Sequence, residues 1–145
     1  MGGNYQRADF KTQPGIVSTA FGTGAVPQYL TGTTVKMADV ETGTLSAYVT
    51  GKAETNGLTI YHQWEVSRDG TTFRPCVPDN NAATVVLATG TSGTDAAFTS
   101  RVIAANPAVY GYPFARLRLV DGVTPADGTN DVGSIEYEYR EPIVW

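Results

Sequence analysis

Cysteine, histidine and positive charge are scarce in this chain of 145 residues. Cys76 is the single cysteine, so no intramolecular disulfide can form, and neither a thiolate metal cage nor a Cys-x-x-Cys redox pair is available. His62 is the single histidine, which excludes a metal centre built on several imidazoles. Ten Lys and Arg stand against fourteen Asp and Glu, a formal net charge of −4. A nucleic-acid binder needs a basic face to neutralise phosphates, so no nucleic-acid partner is expected. No run approaches the roughly twenty apolar residues that span a bilayer. The opening MGGNYQRADFKTQPG has no apolar stretch after its basic residues, unlike a secretory leader. Synthesis in a cytoplasm without a membrane partner is the expectation.

Helical periodicity is also lacking. Residues 1–33 concentrate Gly2, Gly3, Gly15, Gly22, Gly24 and Gly32 with Pro14 and Pro27, and show neither a 3.6-residue nor a sustained two-residue apolar period. Arg7, Lys11 and Lys36 against Asp9 also make the first 36 residues basic, while the rest of the chain is acidic. Residues 1–33 read as an extended N-terminal arm, and residues 34–145 as one β-sandwich domain.

From about Thr33 the texture becomes short β-branched and aromatic runs punctuated by Gly, Asp, Asn and Pro every eight to twelve positions, the spacing of an all-β sandwich or barrel. Leu45, Ala47 and Val49 alternate with Ser46, Tyr48 and Thr50; Ile60, His62, Trp64 and Val66 alternate with Tyr61, Gln63 and Glu65. Strands are predicted over 45–50, 58–66, 83–88, 97–104, 114–120 and 134–140. The expected fold is an antiparallel β-sandwich, with a jelly roll as one arrangement of it. Arg116 and Arg118 oppose Ala115, Leu117 and Leu119, and Glu136 and Glu138 oppose Ile135, Tyr137 and Tyr139. The last two strands are therefore expected to pair through DGVTPADGTND and to set Arg beside Glu.

The stretch WEVSRDGTTF, Trp64 to Phe73, contains Asp69-Gly70, a strong hairpin signal because glycine accepts positive φ without a Cβ clash. Trp64 and Phe73 are expected on the core side, making a structural clasp. An Asp-box of sugar-cleaving propellers needs one more residue between Asp and Gly and a repeat of the motif; this chain has neither. No metal or other cofactor is expected: Asp121, Asp127, Asn130 and Asp131 lack the alternation and terminal Glu of an EF-hand loop. No catalytic group is assigned either. His62 shares a strand face with Ile60 and Trp64, and Glu136 and Glu138 lie opposite Arg on an outer face, where neither carboxyl would be desolvated.

With Trp64, Ser67, Asp69, Gly70 and Phe73 in W-x-x-S-x-D-G-x-x-F, the aromatic and Arg-rich stretch from Tyr112 to Val120, and the closing Tyr137 and Tyr139, residues 45 to 140 resemble small β-sandwich virion structural proteins of tailed bacteriophages. The resemblance implies a non-enzymatic head decoration, or cement, protein on the capsid exterior, bound to the major capsid protein and commonly trimeric, or another small head or tail component. Tyr5, Arg7, Phe10, Lys11, Ile16 and Phe21 are the expected partner-binding residues, because they place apolar and basic groups in an arm without a core of its own. The rival expectation is a carbohydrate- or receptor-binding module using Tyr48, Tyr61, Tyr110 and Tyr112. A hydrolase dependent on Glu136 or His62 is a third.

Overall fold

The computed structural model describes residues 10–22, 28–53, 59–76, 85–89, 97–121 and 131–143. These form ten strands: β1 Lys11–Ala20, β2 Gln28–Thr31, β3 Val35–Lys36, β4 Ser46–Ala53, β5 Thr59–Ser67, β6 Arg74–Pro75, β7 Val85–Thr89, β8 Ala97–Ala104, β9 Phe114–Asp121 and β10 Val132–Tyr139. Two short 3-10 turns, Met37–Asp39 and Pro107–Gly111, complete the described structure. One sheet has the order β1-β10-β4-β8; in the other, β9 and β5 are central. β2 and β3 follow one another along β9, and β6 and β7 along the far side of β5. Each sheet is thus four positions wide, every pairing is antiparallel, and the chain passes from sheet to sheet as it winds. That is the eight-position wrap of a jelly roll.

The alternation seen in the sequence explains which side chains meet between the sheets. Ala47 and Val49 of β4, Ile60 and Trp64 of β5, Leu117 and Leu119 of β9 and Ile135 and Tyr137 of β10 are all buried. Each large one contributes about 1.5–3 kcal/mol on leaving water. Polar anchors tie the layers together: the Trp64 indole N–H of the second sheet donates to the Ala104 carbonyl of the first at 3.2 Å. The Tyr110 hydroxyl accepts from Leu45 N–H at 3.0 Å.

Two expectations change here. Within the described residues, the segment read as an arm is extended but belongs to the sandwich. β1 pairs with β10 along its length, β2 pairs with β9, and Phe21 is buried in the core. The sheet edges are also stitched to each other, because Thr33 N–H donates to Gly15 O (3.2 Å), Gln13 Nε2 to Thr34 O (3.0 Å) and the Thr33 hydroxyl to Pro14 O (2.7 Å). Alternation fails in β1 because its register slips between Pro14 and Ile16 and again before Thr19; bulges at an edge strand break the two-residue period.

The second change concerns the last two strands. β9 and β10 lie in different sheets, so Arg116 and Arg118 do not meet Glu136 and Glu138. Their partner is Glu65 on β5, which stands opposite Arg116 in register. The long connection after β9 allows a crossing between layers, and strand pairing across such a connection is set by the whole wrap rather than by local charge.

Candidate functional site

The outer face of the first sheet carries exposed apolar side chains. Register across it aligns Pro14, Glu136, Tyr48 and Val102 in one row over all four strands. Tyr48 is 43% exposed and Val102 65%, and Val17 on the bulged edge reaches 80%. In an antiparallel sheet the solvent face ordinarily carries polar side chains, so the adjacent exposed pair Tyr48 and Val102 needs a reason. Beside them the Thr50 and Ser134 hydroxyls bond to each other. The described charged side chains of this face include Glu136, Glu138 and Lys52.

The outer face of the second sheet is built differently. The Glu65 side chain is only 4% exposed and is held by Arg116 Nε at 2.9 Å and Arg118 Nη1 at 3.7 Å; Arg118 Nη2 also donates to Gln63 Oε1 at 2.8 Å. Both guanidiniums cover aromatic rings, Arg116 over Phe73 at 3.8 Å and Arg118 over Tyr29 at 4.5 Å. Phe73 therefore lies half-buried under Arg116 on the outside of the sheet and not on the core side. The hydrogen bonds and stacking engage both arginines internally, which marks this cluster as structural.

The turn after β5 has the expected chemistry. Gly70 has φ +79°. Asp69 Oδ1 accepts from Ser67 Oγ (2.9 Å), Thr71 N (2.8 Å) and Thr72 N (2.8 Å). Those hydrogen bonds, the backbone ones foremost, hold the Asp69 carboxyl at about 2. Next to this turn lies an open cleft of about 470 Å³, lined by Ser67, Arg68, Asp69, Thr72, Arg74 and Tyr112 among others. Sequence reasoning used Asp69 and Tyr112 separately. Only the pairing of β5 with β9, which brings Ser67 opposite Phe114, carries Tyr112 to the turn.

The groups considered for catalysis are not brought together. His62 is buried on the inner side of β5, and burial, with Arg101 nearby, lowers its pKa to about 4. Glu136 is exposed on the outer face of the other sheet. Cys76 is buried, which raises its thiol pKa. Among the described residues no group of three or more His, Cys, Asp or Glu is placed to hold a metal ion. Asp121 and Asp131 are fully buried, and their proximity together with burial raises Asp121 to about 8; Asp127 and Asn130 lie outside the described residues.

The expected partner-binding residues divide. Tyr5 and Arg7 lie outside the described residues. Phe10 is 51% exposed with the Arg140 guanidinium 4.4 Å over its ring, and Lys11 is exposed and ion-paired with Glu141. Ile16 is half-buried against the core and Phe21 is buried in it, so Phe21 is withdrawn from the surface. Of the four tyrosines considered for sugar stacking, Tyr48 is exposed, Tyr61, Tyr110 and Tyr112 are half-buried, and Tyr110 is engaged with Leu45.

No protein-family model matches this chain, and no curated protein matches it. Among solved structures it is similar to a chain of the infectious bursal disease virus Gx strain, with 14% identity, a TM-score of 0.45 and 92% of this chain covered. It is likewise similar to a chain of the VP2 subviral particle of infectious bursal disease virus, with 14% identity, a TM-score of 0.41 and 92% covered. This chain spans about a third of the length of those chains, 32% and 33%.

Proposed function

We propose that this chain is a non-enzymatic structural protein of a virion, and specifically a decoration protein that binds the outside of a bacteriophage head as a homotrimer and reinforces the shell of major capsid protein. The observation that carries this reading is the exposed apolar pair Tyr48 and Val102, adjacent in register on the outer face of the first sheet, with Pro14 beyond Glu136 in the same row and Val17 exposed on the bulged edge strand. Such groups are costly to leave in water and mark a surface to be covered. The jelly-roll wrap fits, since this architecture is used repeatedly for shell components, and the phage resemblance of residues 45 to 140 points the same way. Fold alone does not fix function; the exposed face supplies the site.

The mechanism follows from mass action. Covering the face against neighbouring shell subunits contributes binding free energy that exists only in the assembled particle. The surface differs from the one first expected: the first sheet presents it, with Phe10 and Lys11 at the start of β1 on its margin, and not a free arm.

Substituting Tyr48→Glu and Val102→Glu together replaces the exposed apolar pair with charge beside Glu136 while leaving the core intact. Wild-type protein is expected to co-sediment with heads assembled from the major capsid protein. The double variant is expected to keep its circular dichroism spectrum and to lose at least about tenfold in affinity. Undiminished co-sedimentation of the variant would remove this face from the interface.

A further inference from the structure

The cleft beside the β5 turn has an unusual balance of charge. Its one acid, Asp69, accepts three hydrogen bonds from the turn at Oδ1 and keeps its negative charge, so one carboxylate stands against two arginines. The Ser67 hydroxyl is equally occupied, accepting from Asp69 N (3.3 Å) and Gly70 N (2.9 Å) while donating to Asp69. The bases are not spent. Of the described arginines, Arg116 and Arg118 bind Glu65, Arg140 covers Phe10, and Arg101 is engaged. Arg68 and Arg74 alone among the described arginines have neither an ion pair, a hydrogen bond nor a ring to cover, and both line the same cleft. A chain of net charge −4 thus gathers two uncommitted guanidiniums around one open space.

A guanidinium fork matches the two oxygens of a carboxylate, and a pair of them favours a charged ligand over a neutral one. The rest of the wall includes Val66, Thr72, Pro75 and Tyr112, whose half-buried side chain packs on one side against the core and has an apolar body with a polar tip. A volume of about 470 Å³ lies in the range of small-ligand sites and accommodates a saccharide unit. We propose that this cleft binds a saccharide carrying a carboxylate, with Arg68 and Arg74 holding the carboxylate and Tyr112 packing against the sugar ring. The site is separate from the outer face of the first sheet, and its occupation does not depend on the shell-binding role.

The test is titration of the full chain with sialyllactose and with trigalacturonic acid, followed by backbone amide NMR, with lactose as the neutral control. Both acidic saccharides are expected to shift the amides of residues 67–74 and Tyr112 with dissociation constants on the order of 1 mM, and lactose is expected to shift none. The double variant Arg68→Ala and Arg74→Ala, whose side chains are exposed, is expected to weaken binding by roughly tenfold or more with the rest of its spectrum unchanged. Tyr112→Ala is expected to weaken the saccharides and to leave acetate binding unaltered. Absence of shifts at tens of millimolar would overturn the proposal. Equally, inorganic phosphate or a tetraglutamate peptide that binds as tightly as the saccharides, with dependence on the arginines but not on Tyr112, would assign the cleft to phosphate or to a protein carboxylate instead.

Discussion

Asp121→Asn is expected to be more stable than the wild type at pH 8, and to change the shape of the stability profile between pH 4 and pH 8. Asp121 is fully buried at the end of β9, facing Asp131 at the foot of β10. No hydrogen-bond donor reaches either Asp121 oxygen among the described residues, so the carboxyl bonds to Asp131 only by keeping its proton. Burial first, then the hydrogen bond and charge of Asp131, raise its pKa to about 8. An unfolded aspartate has released that proton by pH 4. Between those limits the folded state binds the extra proton, so this group makes stability fall with rising pH by about 1.4 kcal/mol per unit.

His62 acts in the opposite sense over part of the range. Its pKa falls from 6.5 to about 4 on folding, chiefly through burial. The unfolded chain therefore binds the extra proton between those values, and the stability His62 contributes is present above pH 6.5 and lost as pH falls toward 4. In the wild type the two slopes oppose one another while both groups titrate, and above about pH 6.5 Asp121 alone lowers stability as pH rises. Asp121→Asn, whose amide donates to the Asp131 carboxylate without a shared proton, is expected to rise with pH from 4 to 6.5 and then stay level. Urea denaturation at pH 4.5, 6.5 and 8 reads this directly. A wild-type profile that rises from pH 6.5 to 8 would show that Asp121 is ionised in the folded protein.

Tyr137→Ala is expected to cost about 3–5 kcal/mol, enough to unfold much of a marginally stable domain. Tyr137 of the first sheet is fully buried, with its ring centroid 6.1 Å from that of Trp64 on the second, and burial raises its hydroxyl pKa above the usual range. Its hydroxyl also replaces a missing rung. The edge along β9 breaks between β2 and β3, where Gly32 N–H donates to Leu117 O at 2.8 Å, and Leu117 N–H donates across the core to Tyr137 Oη at 2.9 Å.

Tyr137→Phe removes that acceptor while keeping the ring, and is expected to cost about 1–3 kcal/mol for the buried amide left unpaired. Gly32 is tied to the same arrangement, because a Cβ there would collide with the Tyr137 hydroxyl and meet Leu117 O at 2.8 Å. Gly32→Ala is therefore expected to cost less in the Tyr137→Phe background than in the wild type. Equal costs in the two backgrounds, measured by urea denaturation, would show that the hydroxyl does not set the space at Gly32.

How far the sequence revealed this depends on the period of each strand. β4, β5, β9 and β10 alternate in sequence because one side of each faces the core, and their predicted limits, like those of β8, fall within a few residues of those observed. β1 to β3 were illegible for a physical reason: β1 is a bulged edge strand, and β2 and β3 are fragments interrupted at Gly32. Charge misled where topology ruled, as Arg116 and Arg118 found Glu65 across β5 and β9 rather than the glutamates nearer in sequence. Phe73 sits outside because the side chain it serves is Arg116. At the sites, Asp69 and Gly70 were readable from local turn chemistry, whereas the cleft with Tyr112 and the row through Tyr48 and Val102 exist only once strand register is known.

A density map of intact particles, purified from host cells that make this chain together with the major capsid protein, measures the shell-binding role most directly. The expected result is this jelly roll at regular positions on the particle exterior, with Tyr48 and Val102 covered by a neighbouring subunit. Particles that lack the chain, or that hold it with that row facing open solvent, would contradict it.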